Sequence, residues 1–183
     1  MQGFLLGFIA TVLAGTGARD QVLVAGLVAR LGQRPSLLAI ALTSAVLAAA
    51  GAVWLAGAIA PQLAAPARQM LAVLVLALAA LEMLAFPPRS GLAEPSHSLG
   101  AFTIVLVAQQ LTDAARLLLF GIAVASLLPG LAGLGGALGG MAVVAIGWSS
   151  GQSLLDLPLR QIRRWLGAAL LILAAVLAFL LRQ

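Results

Sequence analysis

Cysteine, lysine and tyrosine are absent from this chain, and charge of either sign is scarce. Without cysteine there are no disulfides and no thiolate metal ligands. Without lysine, all ten basic residues are arginines, whose guanidinium keeps its charge in nearly any setting. Charged residues make up 8% of the 183 and apolar residues 63%, whereas a soluble domain is about a quarter charged and about half apolar. No polar run is long enough to build a soluble domain. With a mean hydropathy of +1.15, the chain reads as an all-α integral membrane protein. The sequence pI of 11.8 does not point to nucleic acid, because the arginines are scattered at segment ends rather than clustered. They read as membrane-edge anchors beside apolar spans.

A spanning helix needs about 20 mostly apolar residues, and the sequence supplies six such segments. They run from Gly3 to Leu31, Ser36 to Ala60, Ala67 to Phe86, Leu99 to Leu128, Ala132 to Ser150 and Ile162 to Leu181. The stretches between them, among them GQRPS, PQLAAPAR and FPPRSGLAEPSHS, carry the proline and glycine that end helices. The first segment is expected to stay in the mature protein, since no basic side chain precedes Phe4 as a signal peptide would require.

The first and fourth segments are unusually long, and both are interrupted by polar residues: GTGARDQ in one, QQLTDAAR in the other. Sliding the chain by 95 residues lays Ala18 on Asp113, Gly26 on Gly121 and Arg68 on Arg163. The same order of elements then recurs in both halves. The expectation is two three-helix repeats, residues 1–86 and 99–183, joined by a loop at 87–98. Because each repeat has an odd number of spans, the second enters the membrane from the opposite side. Inverted repeats of this kind hold substrate near the midplane, on helices broken at matching positions. Six spans put Arg30, Arg34, Arg89, Arg160, Arg163 and Arg164 on one side, against Arg68 and Arg182 on the other. The arginine-rich side is expected to be cytoplasmic, with both termini outside, and the expected location is a bacterial inner membrane.

An ionised side chain at a helix centre costs roughly 2.5–3.5 kcal/mol on insertion scales, so charges inside a span need a reason. The first span holds Arg19 and Asp20 beside Thr16 and Gln21; the fourth holds Asp113 and Arg116 beside Gln109, Gln110 and Thr112. Asp113 and Arg116 are three apart and share a helix face, where they can neutralise each other. Arg19 and Asp20 are adjacent and point about 100° apart. The expected pairings therefore cross between the halves, Arg19 with Asp113 and Asp20 with Arg116. The polar groups read as a site for a transported species, as a salt-bridge knot tying the halves together, or as a helix end reaching the interface. Glu82, near the end of the third span, is expected to snorkel towards Arg89.

Gly17, Arg19 and Gln21, followed by a small-residue helix ending GLVARLG, resemble the GDT1 family of membrane proteins (TMEM165-like), related to the LysE superfamily. The resemblance extends over the whole layout and implies six helices in two inverted three-helix repeats. It also implies exchange of manganese or calcium for protons. Each family repeat carries Glu-x-Gly-Asp-Lys/Arg-Thr/Ser, usually followed by Gln. Here Gly15 stands for the Glu, Gly17 keeps the glycine, Ala18 replaces the Asp, Arg19 keeps the basic residue, Asp20 replaces the hydroxyl and Gln21 is kept. In the second copy Gln110 replaces the Glu, Thr112 the Gly, Asp113 is kept, Ala114 and Ala115 replace the next two, and Arg116 stands for the Gln. One of four family carboxylates survives in place. Hard dications want about six oxygen ligands, several of them charged. The metal ligands so implied are Asp113 and Asp20, with Thr16, Thr112, Gln21, Gln109 and Gln110 as neutral oxygens.

Two other functions remain open. One is export of a small anionic or zwitterionic solute, favoured by Arg19 and Arg116 and by broken-helix amino ends. The other is a transport-inactive family member serving as a structural or regulatory partner. An enzyme is not expected, since the sole histidine, His97, lies in the loop between repeats without a nucleophile at suitable spacing. No resident cofactor is expected, and the expected partners are the lipid bilayer, the transported ion or solute, and a second copy of the chain. In GLAGLGGALGGM, Gly135 with Gly139 and Gly136 with Gly140 read as small-residue pairs for close helix packing. Trp54, Trp148 and Trp165 read as interface or packing residues.

Overall fold

The computed structural model describes residues 1–86 and 99–182, and every regular element among them is helical. In chain order these are α1 (Gln2–Gly15), α2 (Arg19–Leu31), α3 (Pro35–Ile59), α4 (Ala65–Ala85), α5 (Leu99–Leu111), α6 (Ala114–Ala125), α7 (Pro129–Ser150), α8 (Gln152–Leu155) and α9 (Leu159–Leu180). A 3-10 turn, Ala60–Gln62, leads from α3 towards α4. The expected loop at 87–98, with Arg89 and His97, lies outside the described residues.

Four helices, α3, α4, α7 and α9, are each long and apolar enough to cross a membrane. Two further pairs meet that test only together: α1 with α2, bent by 58°, and α5 (from Phe102) with α6, bent by 51°. The chain is therefore a helical membrane protein with four spans, or six if each bent pair counts as one. The starts of α5, α6, α7 and α9 fall within two residues of those of α1, α2, α3 and α4 displaced by 95.

The bends follow from local chemistry. In hydrocarbon, a backbone group freed from a helix must find a partner inside the protein. Gly17 supplies the positive φ of 70° that turns the chain after α1. Its amide donates to Gln21 Oε1 at 2.8 Å, while the Thr16 hydroxyl donates back to the Val12 carbonyl at 2.8 Å. Asp20 Oδ1 accepts from the Gln21 amide at 2.8 Å. At the second break the Thr112 hydroxyl donates to the Ala108 carbonyl at 3.0 Å. Asp113 then caps α6, its Oδ2 accepting from the Ala115 amide at 3.2 Å.

Glycine lets the helices around these breaks close up. α7 packs against α1, α2, α3 and α6. A Cβ on Gly135 would run into the Phe4 carbonyl of α1, and one on Gly139 would sit 2.8 Å from the Phe8 carbonyl. Gly136 and Gly140 face the other way, towards Leu119 and Arg116 of α6. The two expected small-residue pairs thus serve two different neighbours. Leucines 74, 78 and 81 of α4, and Ile172, Val176 and Phe179 of α9, are exposed, giving the outer helices an apolar surface for lipid. Trp54 and Trp165 are also exposed, whereas the Trp148 indole donates to the Arg34 carbonyl at 3.1 Å.

Gly135→Ala is expected to destabilise the protein by about 1–3 kcal/mol, the usual cost of overpacking. Gly130→Ala, with nothing within 4 Å of the new Cβ, should change stability by no more than about 0.5 kcal/mol. Unfolding in detergent micelles measures both.

Candidate functional site

The two breaks place charged side chains where water is scarce, and one residue links most of them. Arg163, from the first turns of α9, is only 1% exposed. Its Nη2 donates to Glu82 Oε2 at 2.5 Å and to Asp113 Oδ1 at 2.9 Å, and its Nη1 donates to the Ala14 carbonyl at 3.0 Å. That carbonyl lies at the end of α1, where backbone oxygens lack helical partners and helix polarity favours a cation. Glu82 completes a chain of charges by accepting from Arg19 Nη2 at 3.2 Å through Oε1. The order Arg19–Glu82–Arg163–Asp113 joins α2, α4, α9 and α6, and Arg163 adds α1.

A second group lies beside it. Arg116 is buried, with Nη2 donating to the Ala45 carbonyl of α3 at 3.3 Å, while its Nε and Nη1 have no partner among the described residues. Gly140 makes room for it, since a Cβ there would come within 2.6 Å of Nη2. Asp20 is buried near both Arg116 and Asp113 but forms no salt bridge among the described residues. The Gln110 amide faces the Asp20 carboxylate, short of full hydrogen-bond geometry, and has no other partner among the described residues. The Thr11 hydroxyl, buried against Gly139, is likewise without a partner.

Several expected roles change in this arrangement. Arg19 pairs with Glu82 rather than Asp113, because Arg163 already holds Asp113. Asp20 and Arg116 are neighbours that form no salt bridge among the described residues, and Arg116 reaches α3 instead of pairing with Asp113. Glu82 turns inward rather than snorkelling, drawn by two guanidinium groups. Gln21 is buried but fully used: Oε1 holds Gly17, and Nε2 donates to the Val143 carbonyl at 3.1 Å. Thr16 and Thr112 spend their hydroxyls on their own helices, and Thr112 is exposed. Gln109 is half-buried, its Oε1 lacking a partner. Among the described residues no three carboxylates or histidines gather as a metal cage would require.

The sequence reading missed Arg163, Glu82 and Thr11 as members of this cluster. One signal was available. Arg163 and Arg164 are adjacent and point about 100° apart on a helix, so one can turn inward while the other faces out; Arg164 is the exposed one.

A groove of about 740 Å³ lies elsewhere, bounded by α1, α4, α6 and α9 and lined by residues such as Leu6, Leu13, Leu76, Ile122, Leu170 and Leu177. Its walls are mostly apolar, with Gln2 and Ser126 as polar exceptions near one end. Compared with known proteins, the chain matches no family model, no curated protein and no solved structure.

Removing the central cation should cost most. Arg163→Met leaves Asp113 and Glu82 buried without their partner and is expected to destabilise by roughly 3–5 kcal/mol. Combining it with Glu82→Gln should cost less than the sum of the two single losses, because the stranded charge is removed. Arg19→Gln should cost about 1 kcal/mol or less, since this side chain is a third exposed and Arg163 still holds Glu82. Denaturation in micelles reads all three.

Proposed function

We propose that this chain is a membrane transporter built from two inverted three-helix repeats. Its cargo binds between the two broken spans, and access alternates between the two sides of the membrane. One observation carries the reading: the breaks coincide under a shift of 95 residues, and each is braced from the matching position. Gln21 and Arg116 superpose under that shift. Gln21, from the first half, donates to α7 in the second, and Arg116, from the second half, donates to α3 in the first. Reciprocal contacts of this kind are what a two-fold relation between inverted repeats produces, and broken helices at the repeat interface are where such transporters bind cargo.

The packing is asymmetric in a way this reading explains. α4 lies along α6, whereas its counterpart α9 has no comparable packing on α2, where α8 sits instead. Leu154 of α8 and Leu159 at the start of α9 pack on Val22 and Ala25 of α2. Exchanging the roles of the two repeats gives the second conformer: α8 withdraws, α9 closes on α2 and α4 leaves α6. The arginine count still favours a cytoplasmic side at Arg30, Arg34, Arg160 and Arg164. The buried Arg163 drops out of that count.

Because the chain has no cysteine, introduced pairs report alone. A Cβ on Gly121 would lie 3.5 Å from that of Val75, within the disulfide range. The pair Val75→Cys with Gly121→Cys should cross-link in membrane vesicles. The matching pair, Gly26→Cys with Leu170→Cys, should cross-link in the second conformer and stop doing so once the first pair is locked. Failure of the second pair to cross-link under any condition would contradict alternating access.

A second reading follows from the resemblance: exchange of manganese or calcium for protons. The proximity of the Asp20 carboxylate to Asp113 favours it. It requires Asp113 to exchange Arg163 for the metal ion, with Gln110 adding an oxygen. Manganese entry into proteoliposomes under a pH gradient, abolished by Asp113→Asn, is the expected result on this reading. An absence of flux from folded protein counts against it.

A further inference from the structure

We propose that the groove between α1, α4, α6 and α9 holds one acyl chain of an anionic phospholipid, with the headgroup phosphate at Arg68 and Arg182. Its walls come from matching ends of the four helices: the starts of α1 and α4 and the finishes of α6 and α9. These ends lie side by side, since a Cβ on Gly3 would come within 3.1 Å of the Ser126 hydroxyl and one on Gly121 within 3.4 Å of the Ala72 carbonyl. α1 lines the groove from Gln2 to Leu13, a rise of about 16 Å. The hydrocarbon core of a bilayer is about 30 Å thick, so the groove has the depth of one leaflet.

The groove opens to the side. α4 and α6 pack together as its floor, α1 lies on α6 and α9 on α4, whereas α1 and α9 touch little. Leu6, Leu13 and Leu173 line it and are exposed, so in a membrane they meet hydrocarbon. An apolar wall without neighbours forfeits its dispersion contacts, and a chain lying between two rims restores more of them than one on a flat helix face. A volume of about 740 Å³ is that of a pocket for one small molecule. It is too little for a second helix, about 10–12 Å across, over that depth.

Charge near the mouth selects the headgroup. Gln2 and Ser126 give this end of the lining its polar side chains. Arg68 lies one turn before Ala72 on α4, and Arg182 follows the end of α9. Neither forms a salt bridge among the described residues. Residues 1–6, 60–68, 126–131 and 178–182, which surround this end, contain no Asp or Glu. A phosphate at this level has two guanidinium donors to pair with and no carboxylate to oppose it, and guanidinium suits phosphate oxygens.

The test reconstitutes the purified full chain in vesicles of equal parts phosphatidylethanolamine and phosphatidylglycerol, extracts it in mild detergent and weighs the intact complexes by native mass spectrometry. One phospholipid per chain is expected to survive extraction, mostly phosphatidylglycerol. Ala10→Phe and Ala125→Phe each put a ring into the groove and should cut the lipid-bound fraction several-fold. Ala125 is exposed, so its variant can fold even if a larger side chain at Ala10 is not tolerated. Leu74→Phe, on an exposed part of α4 outside the groove, should leave the fraction unchanged. Arg68→Gln combined with Arg182→Gln should bring the two lipids to equal occupancy. No lipid retained at one per chain, or a lipid that survives both phenylalanines, overturns the inference. A lipid displaced by the phenylalanines but showing no preference for phosphatidylglycerol overturns the headgroup assignment. Neither result bears on alternating access, which the paired cross-links decide separately.

Discussion

Arg163 sits where water cannot solvate its charge, and much of the interior is arranged around meeting it. A guanidinium cannot give up its proton to escape burial, so the protein must bring anions and carbonyls to it. Glu82 comes from α4, Asp113 from the cap of α6, and the Ala14 carbonyl from the open end of α1. Two of these three partners exist only because the spans are broken. An unbroken first span would tie the Ala14 carbonyl into its own helix, and an unbroken fourth would remove the cap that exposes Asp113. The breaks and the buried arginine therefore explain each other, and glycine on α7 lets the helices approach closely enough for both.

The same cluster shows where the two halves diverge. Under the shift of 95, Arg163 corresponds to Arg68, Asp113 to Ala18 and Glu82 to Leu177. Arg68 donates to the nearby Leu63 carbonyl at 3.0 Å and forms no salt bridge among the described residues. The ionic centre is shared at positions that do not match under the shift: Arg19 and Glu82 come from the first half, Arg163 and Asp113 from the second. Gln21 and Arg116, by contrast, keep one task in both halves, each reaching a backbone carbonyl across the interface. The order of helices recurs under the shift, whereas most of the charged positions do not.

Much of the scaffold was readable from residue order alone. Apolar runs, proline and glycine punctuation and the polar interruptions mark the helices and both breaks, because these depend on local chemistry. The glycine pairs on α7 were readable for the same reason: a missing side chain has the same consequence wherever the helix lies. Charge partners were not. Whether Arg19 meets Asp113 or Glu82 depends on how helices rotate about their axes, and a rotation of one residue's worth moves a side chain by about 100°. Thr16, Thr112 and Gln21 looked like ligand oxygens because polar residues in a span invite that reading. The bends consume them instead, since broken backbone must be satisfied from nearby.

Both bent pairs must cross the membrane for the repeats to be inverted. Single cysteines at Gln62, after α3, and Gln152, after α7, test this with a thiol reagent that does not cross the bilayer. If α1–α2 and α5–α6 each cross, these two loops lie on opposite faces. Gln62→Cys should then label from outside in intact cells, and Gln152→Cys only after the membrane is opened. If instead both pairs re-enter and leave on the side they came from, only four helices cross and the two loops share a face. Labelling of both positions from one side would contradict inverted repeats and the alternating site built on them.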